Sequence, residues 1–129
     1  MNWQDARTSC KKLWKDGLGD IATPKGSLLH QFLQKIINNV DVWIGAQYNS
    51  PKKDWYWTDG CSLHSGYNSI KPDYLYHYKT SQYCLKMHKN GIWAVSNCGN
   101  AVAFACQKSE ERPRSVKCCK IIFTFGTLW

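Results

Sequence analysis

The first part of the chain carries an apolar pattern with helical spacing. In residues 2–17, apolar side chains recur every three or four positions, as on one face of a helix: Trp3, Ala6, Cys10, Leu13 and Trp14. Asn2 is a suitable N-cap, and Asp5 adds negative charge to the first turn. Gly17 and Gly19 are expected to end this helix.

A second helix is predicted after Thr23-Pro24, because this pair can supply an N-cap followed by proline at the first helical position. Its apolar stripe contains Leu28, Leu29, Phe32, Leu33, Ile36 and Ile37. Asn38-Asn39 is expected to end it.

From position 40 onward the pattern becomes that of strands. Short β-branched and aromatic runs predict strands at residues 40–46, 54–60, 83–88, 91–96 and 102–107. Asn90-Gly91 predicts a hairpin turn. The stretch between Cys61 and Gln82 has no regular period, and a loop of this length in a small domain is commonly functional or disordered. Helices followed by strands predict an α+β fold.

Length and composition narrow the class of protein. The 129 residues suffice for one domain, and 43% hydrophobic with 20% charged residues is typical of neither a disordered nor a membrane-spanning chain. The net charge of +8 favours acidic partners such as sulfated glycans, anionic membrane surfaces or nucleic acid, although it can equally serve solubility alone. Residues 108–129 carry five basic and two acidic side chains, so the tail is basic for its length.

Seven cysteines indicate disulfides and an extracellular or lumenal location. Since seven is odd, at least one cysteine lacks a partner within the chain. The start, Met1-Asn2-Trp3, has no signal-peptide pattern, so either the chain is a fragment of a longer precursor or its thiols are reduced, and we favour the fragment.

Several short motifs follow one another in a recognisable order. They are Trp3-Gln4-Asp5-Ala6, Cys10, Trp43-Ile44-Gly45-Ala46, Trp55-Tyr56-Trp57-Thr58-Asp59-Gly60, Cys84, Gly91-Ile92-Trp93, Cys98 and Phe104-Ala105-Cys106. This order resembles the C-type lectin-like domain over roughly residues 2–108. The resemblance implies two helices, two small antiparallel sheets and a long loop that carries the ligand site. We therefore divide the chain into a domain at residues 1–108 and a basic, then apolar, tail at residues 109–129.

The resemblance also implies how the cysteines pair. It joins Cys10 to Cys106 and Cys84 to Cys98, which leaves three unassigned: Cys61, Cys118 and Cys119. These three could link the chain into a disulfide-bonded oligomer.

Members of this family begin with a strand before the first helix, and that strand is missing here. Its absence would leave an exposed edge on the last strand. Residues 121–125 are β-branched and aromatic, so this part of the tail could fold back onto that edge. The competing interpretation is a tail without fixed structure.

Many family members bind sugar through a loop Ca²⁺ held by carboxylate and amide oxygens. At the corresponding positions this chain has Lys71-Pro72-Asp73, Gln82 and Trp93-Ala94-Val95. Asp73 keeps its carboxylate, but Lys71 brings an ammonium, which cannot coordinate a cation. We therefore expect no metal site and no cofactor.

A tyrosine-rich string in the loop is the main candidate for ligand contact. Tyr74, Tyr76 and Tyr78 fall on one face of an extended segment. Tyrosine is a common anchor for protein partners, and its ring also stacks on sugars. The full predicted ligand-binding set is Lys71, Asp73, Tyr74, Tyr76, Tyr78, Lys79 and Trp93, with a basic border to which Lys86 and Lys89 could add. Alternatively, the tyrosines only pack the loop onto Trp57 and Trp93, and Asp73 is a solvated carboxylate.

Other function classes are disfavoured. No pair of carboxylates is marked for glycosidase chemistry, and the histidines are scattered; His30 is expected on the surface of the second helix. Cys61 and His64 stand three apart, which alone is a weak zinc or thiol signal. Lys and Arg follow no single helix face, which argues against nucleic acid.

The sequence predicts an extracellular, non-enzymatic module of surface recognition or innate defence that binds carbohydrate without calcium; the alternative is a protein ligand bound through the Tyr-rich loop.

Overall fold

The computed structural model of the chain describes residues 1–37, 39–63 and 80–108. Two helices and seven strands lie in these residues, and the fold is α+β as predicted. In chain order they are α1 (Trp3–Lys12), β1 (Gly19–Ile21), α2 (Ser27–Ile36), β2 (Val42–Asn49), β3 (Asp54–Trp57), β4 (Tyr83–Met87), β5 (Trp93–Asn97), β6 (Ala103–Phe104) and β7 (Cys106–Lys108).

Helix α1 begins where the sequence predicts. The Asn2 side chain accepts a hydrogen bond from the Asp5 backbone N–H at 2.8 Å, which satisfies one of the free donors of the first turn. The helix ends earlier than expected, at Lys12. Gly19 does not terminate it but begins β1, a strand that the sequence analysis missed because three residues carry too little pattern.

Helix α2 differs more from its prediction. Gly26 is its N-cap and provides no side-chain hydrogen bond, so the predicted cap at Thr23-Pro24 is wrong. The Thr23 hydroxyl instead accepts a hydrogen bond from the Gln107 side chain at 2.7 Å. Leu33 and Ile37 of the apolar stripe are buried. Three other members of the stripe are exposed: Leu28, Phe32 and Ile36.

The strands form two sheets. β3, β2, β4 and β5 lie side by side as antiparallel neighbours, and β6 runs parallel to β2. β1 and β7 form a separate antiparallel pair. The single strand predicted at residues 102–107 is therefore divided, because β6 lies along β2 whereas β7 lies along β1.

Strand β2 separates two clusters of buried side chains. Alternate residues from Val42 to Tyr48 pack with Leu33 of α2 and with the tryptophans of β3 and β5. Trp43 points the other way and packs with Trp3 of α1. Each helix thus covers one face of the central strand.

Disulfides connect the elements. The structure joins Cys10 to Cys106 and Cys84 to Cys98, the pairings that the resemblance implies. Cys61 is also disulfide-bonded. The tail at residues 109–129 lies outside the described residues, so the predicted strand at 121–125 stays a prediction.

Candidate functional site

The two ends of the long loop are anchored in the domain. Leu63, at its start, is fully buried in the cluster on the α2 side of β2. At its other end, the Gln47 side chain donates to the Ser81 carbonyl at 2.9 Å, and Ser50 N–H donates to Ser81 Oγ at 3.1 Å. The predicted ligand-binding residues of the loop lie outside the described residues: Lys71, Asp73, Tyr74, Tyr76, Tyr78 and Lys79.

The β4–β5 hairpin directly follows the loop in the chain. Cys84–Cys98 joins its open end, and the predicted turn closes the other, where Gly91 has φ 87°. This positive φ favours glycine over residues with a side chain. A Cβ on Gly91 would also lie 2.9 Å from His30 Nε2, so α2 approaches the turn closely.

Trp93 is the member of the predicted binding set that lies within the described residues. Its side chain is fully buried, with 0% exposure. Its ring stacks on His30 at a centroid distance of 5.7 Å and meets Trp57 edge-on at 5.3 Å. Trp93 is therefore a core residue packed between His30 and Trp57, and its indole exposes no surface to a ligand.

His30 is buried rather than on the surface, which corrects the sequence prediction. Only 4% of it is exposed, and burial lowers the pKa of its imidazole, against a smaller opposing effect of a hydrogen bond with the Gly91 backbone. The helical pattern did not show this, because β5 supplies the partner ring. His30 thus fastens α2 to the hairpin in its neutral form at neutral pH.

The described positions that correspond to calcium ligands in the family carry poor ligands. Ala94 is 2% exposed and Val95 is half-buried, and neither side chain has an oxygen. Gln82 is exposed and offers a neutral amide. Among residues 1–37, 39–63 and 80–108, no group of three or more His, Cys, Asp or Glu side chains could hold a metal ion.

The predicted basic border is only partly available on the hairpin. Asp41 lies 3.0 Å from His88 Nδ1 and 3.7 Å from Lys86 Nζ. Burial raises the pKa of Asp41, but the His88 hydrogen bond and the two neighbouring charges outweigh it, so that its pKa lies below the usual value. Lys86 is therefore engaged in a pair, whereas Lys89 at the turn is exposed.

A cleft opens on the other side of the central strand, between α1 and the β2–β3 hairpin. It has a volume of about 230 Å³, and its polar lining includes Arg7, Gln47, Asn49, Tyr56, Thr58 and Ser81. Sequence reasoning missed it. The one available signal was that β2 becomes polar on the face of Trp43 at Gln47 and Asn49.

The thiol and zinc hypotheses for Cys61 are excluded by its state. A disulfide-bonded cysteine offers neither a thiolate nucleophile nor a zinc ligand. Its predicted neighbour, His64, lies outside the described residues. In the part of the chain that the structure describes, no helix has the length and apolar character needed to cross a bilayer.

Comparison with known proteins shows which family has this architecture. The family model described as the lectin C-type domain matches residues 1–108. A killer cell lectin-like receptor, subfamily E member 1, from Mus musculus is 22% identical over 118 residues, which cover 83% of this chain and 49% of that protein. The low affinity immunoglobulin epsilon Fc receptor from Mus musculus is 26% identical and covers 82% of this chain and 30% of that protein. The chain thus spans half or less of the length of these curated relatives.

Solved structures show the same fold. The cow C-type carbohydrate-recognition domain of CD23, determined in the presence of a GlcNAc2Man3 oligosaccharide, superposes with a TM-score of 0.67 at 23% identity, over 82% of this chain and 78% of that one. The carbohydrate-recognition domain of the mouse scavenger receptor C-type lectin gives 0.67 at 19% identity, over 87% and 84%. Identities this low show similarity of fold.

Proposed function

This chain belongs to the C-type lectin domain family and is a recognition domain of that type, and we propose that it binds carbohydrate without a calcium ion. The observation that carries the proposal is the β4–β5 hairpin. It keeps the disulfide, the turn and the tryptophan of the family pattern, while positions 94 and 95 present a methyl and an isopropyl group in place of oxygen ligands. A hard cation requires six to eight oxygens, so losing these positions weakens any site there severely.

The ligand surface in this proposal is the long loop that precedes the hairpin in the chain. Tyr74, Tyr76 and Tyr78 provide aromatic faces for sugar rings, and Lys71, Asp73 and Lys79 provide polar and charged contacts. The role of Trp93 in this proposal is indirect, because its ring is buried in the core. The net charge of +8 favours anionic glycans as ligands of this loop.

We further propose an extracellular location and a non-enzymatic role. The support is the density of disulfide-bonded cysteines, which persist in oxidising compartments. Cys61 and His64 gave a weak signal for a zinc site or a reactive thiol. That signal no longer applies, because Cys61 is in a disulfide.

A glycan array, probed once in millimolar calcium and once with chelator, tests the proposal. We expect the same glycans to bind in both conditions. We also expect an unchanged melting temperature, since a ligand stabilises only the state that it binds. Binding that disappears with chelator, or a melting temperature raised by calcium and reversed by chelator, would contradict the calcium-independent mode.

Protein recognition through the Tyr-rich loop is the second candidate. The observation in its favour is a curated relative whose name describes a receptor for immunoglobulin epsilon Fc, which is a protein ligand of that relative. A Tyr76→Ala variant is informative for either ligand. We expect it to weaken binding with little change in melting temperature, whereas a large loss of stability would mean that the tyrosine packs the loop instead.

A further inference from the structure

We infer that the cleft between α1 and the β2–β3 hairpin binds one neutral pyranose ring. This inference rests on the proposed carbohydrate recognition, and it gives that function a second place, formed by residues of α1, β2 and β3 and by Ser81 near the end of the long loop. The cleft volume of about 230 Å³ lies below the roughly 300–1,000 Å³ of pockets for drug-sized ligands. The size thus limits the ligand to about a single ring.

The cleft exists because α1 covers only part of one face of β2. Trp43 on this face is buried beneath α1, with Trp3 and Cys10 around it. Further along β2, Gln47 points to the same side and lies opposite Tyr56 of β3. Both are half-buried, so the face continues beyond the helix as a floor that solvent can reach.

The floor keeps hydrogen-bonding capacity that the fold does not use. Gln47 donates through Nε2 to the Ser81 carbonyl, and within the described residues its Oε1 has no donor. Asn49 accepts through Oδ1 from Lys52 N–H, and within the same residues its Nδ2 has no acceptor. One acceptor and one donor on the same face suit a sugar hydroxyl, which both donates and accepts.

Tyr56 adds the apolar component that sugar rings require. Lys52 Nζ lies over its ring at 4.9 Å, and the ring lines the cleft beside Gln47. A flat aromatic surface next to amide groups matches a pyranose, which presents C–H groups on its faces and hydroxyls at its edge.

The charged side chain that lines the cleft is paired, which suits a neutral ring, and the Lys52 ammonium lies next to the lining, over the Tyr56 ring. Among the described residues that line it, Arg7 alone is charged. Its Nε lies 3.2 Å from Asp20 Oδ1, and its Nη2 donates to the Thr58 carbonyl at 3.4 Å. Because Asp20 neutralises the guanidinium, this cleft differs from the strongly positive chain as a whole.

The test is a titration of the ¹⁵N-labelled full chain with methyl pyranosides of glucose, galactose, mannose and N-acetylglucosamine, followed by ¹H–¹⁵N NMR. We expect at least one of them to give saturable shifts at Gln47, Asn49, Tyr56 and Thr58, with a Kd on the order of millimolar, as befits so small a ligand.

Two variants and a control test whether the sugar contacts the Tyr56 ring. Tyr56→Ala should raise that Kd about fivefold or more, since the aromatic surface is lost. Tyr56→Phe keeps the ring and should raise it less, which preserves the test if the alanine variant does not fold. The control is Phe32→Ala, which truncates an aromatic side chain that is 49% exposed on α2, across the sheet, and should leave the Kd unchanged.

Several results would overturn the inference. They are the absence of saturable shifts with all four glycosides, shifts confined to residues 64–79, and equal effects of Tyr56→Ala and Phe32→Ala. Shifts confined to the loop would leave the proposed carbohydrate function intact and remove only the cleft. If the loop variant Tyr76→Ala no longer binds the glycan array but still gives shifts at the cleft, the two sites are separate.

Discussion

Helices α1 and α2 cover opposite faces of the same strand, yet they are held by different interactions. Directional bonds hold α1: the Cys10–Cys106 disulfide and a hydrogen bond of 2.8 Å from the Trp3 indole to the Ile44 carbonyl. Helix α2 has no side-chain cap and depends mainly on buried side chains such as Leu33, with one directional contact from His30 to the Gly91 backbone. A helix marked by motifs is thus held by a few specific bonds to distant residues, whereas its neighbour relies mainly on packing that no motif records.

The largest effect is expected from removing the disulfide of α1. A Cys10→Ser/Cys106→Ser variant should lose about 4–5 kcal/mol in the free energy of unfolding, because the bond closes a separation of 96 residues. Urea unfolding monitored by tryptophan fluorescence measures the loss. The matched control, Cys84→Ser/Cys98→Ser, opens a separation of only 14 residues and should lose about 3 kcal/mol. Equal losses would show that the sequence separation closed by the disulfide does not set its contribution to stability.

Packing of α2 should give the next effect. Leu33→Ala removes a fully buried side chain and should cost about 2–5 kcal/mol. Phe32→Ala, at the adjacent position on the exposed side, should cost about 0.5 kcal/mol or less. Chemical denaturation of both variants measures the difference. A comparable cost for the two would mean that the exposed row is covered in solution.

The third effect is a dependence of the folding stability on pH that arises from a residue of α2. Burial lowers the pKa of His30 below its usual 6.5, so the unfolded chain binds the proton more readily than the folded one. This contribution to stability is complete above about pH 6.5 and is lost as the pH falls below that value.

Thermal unfolding between about pH 7.5 and 5.5 measures this dependence. A His30→Gln variant keeps an N–H donor and lacks the titrating group, so its melting temperature should fall less over that range than that of the wild type. Parallel curves would assign the dependence to groups other than His30.

The smallest effects are expected at the helix N-caps. Asn2→Ala removes the side-chain cap of α1 and should cost about 1 kcal/mol. Gly26→Ser adds a hydroxyl at the uncapped start of α2, where a new Cβ meets nothing within 4 Å, and should stabilise by a few tenths of a kcal/mol. Both are read from denaturant midpoints. Destabilisation by the serine would mean that this N-terminus is already satisfied.

Much of the scaffold could be predicted from the sequence. The start of α1 could be read from Asn2 and its apolar spacing, and the β4–β5 hairpin from Asn90-Gly91, because caps and turns depend on residues close together in the chain. The order of the motifs indicated the fold, and the resemblance implied the pairs Cys10–Cys106 and Cys84–Cys98 but not the disulfide of Cys61. The assignment of the loop residues to the ligand surface stays a prediction.

Tertiary structure decided which residues the fold covers. His30, predicted on the surface, is buried because Trp93 of β5 stacks on it, whereas Phe32 is exposed because nothing described packs against that side of α2. The strand predicted at residues 102–107 divides because its two parts meet different partners.

The cleft likewise depends on where α1 ends relative to Gln47 and Tyr56, two residues brought together by strand register. Periodicity along a sequence tells which side chains share a face. Only the packed neighbours, distant in the chain, determine whether that face is buried, exposed or open to a ligand.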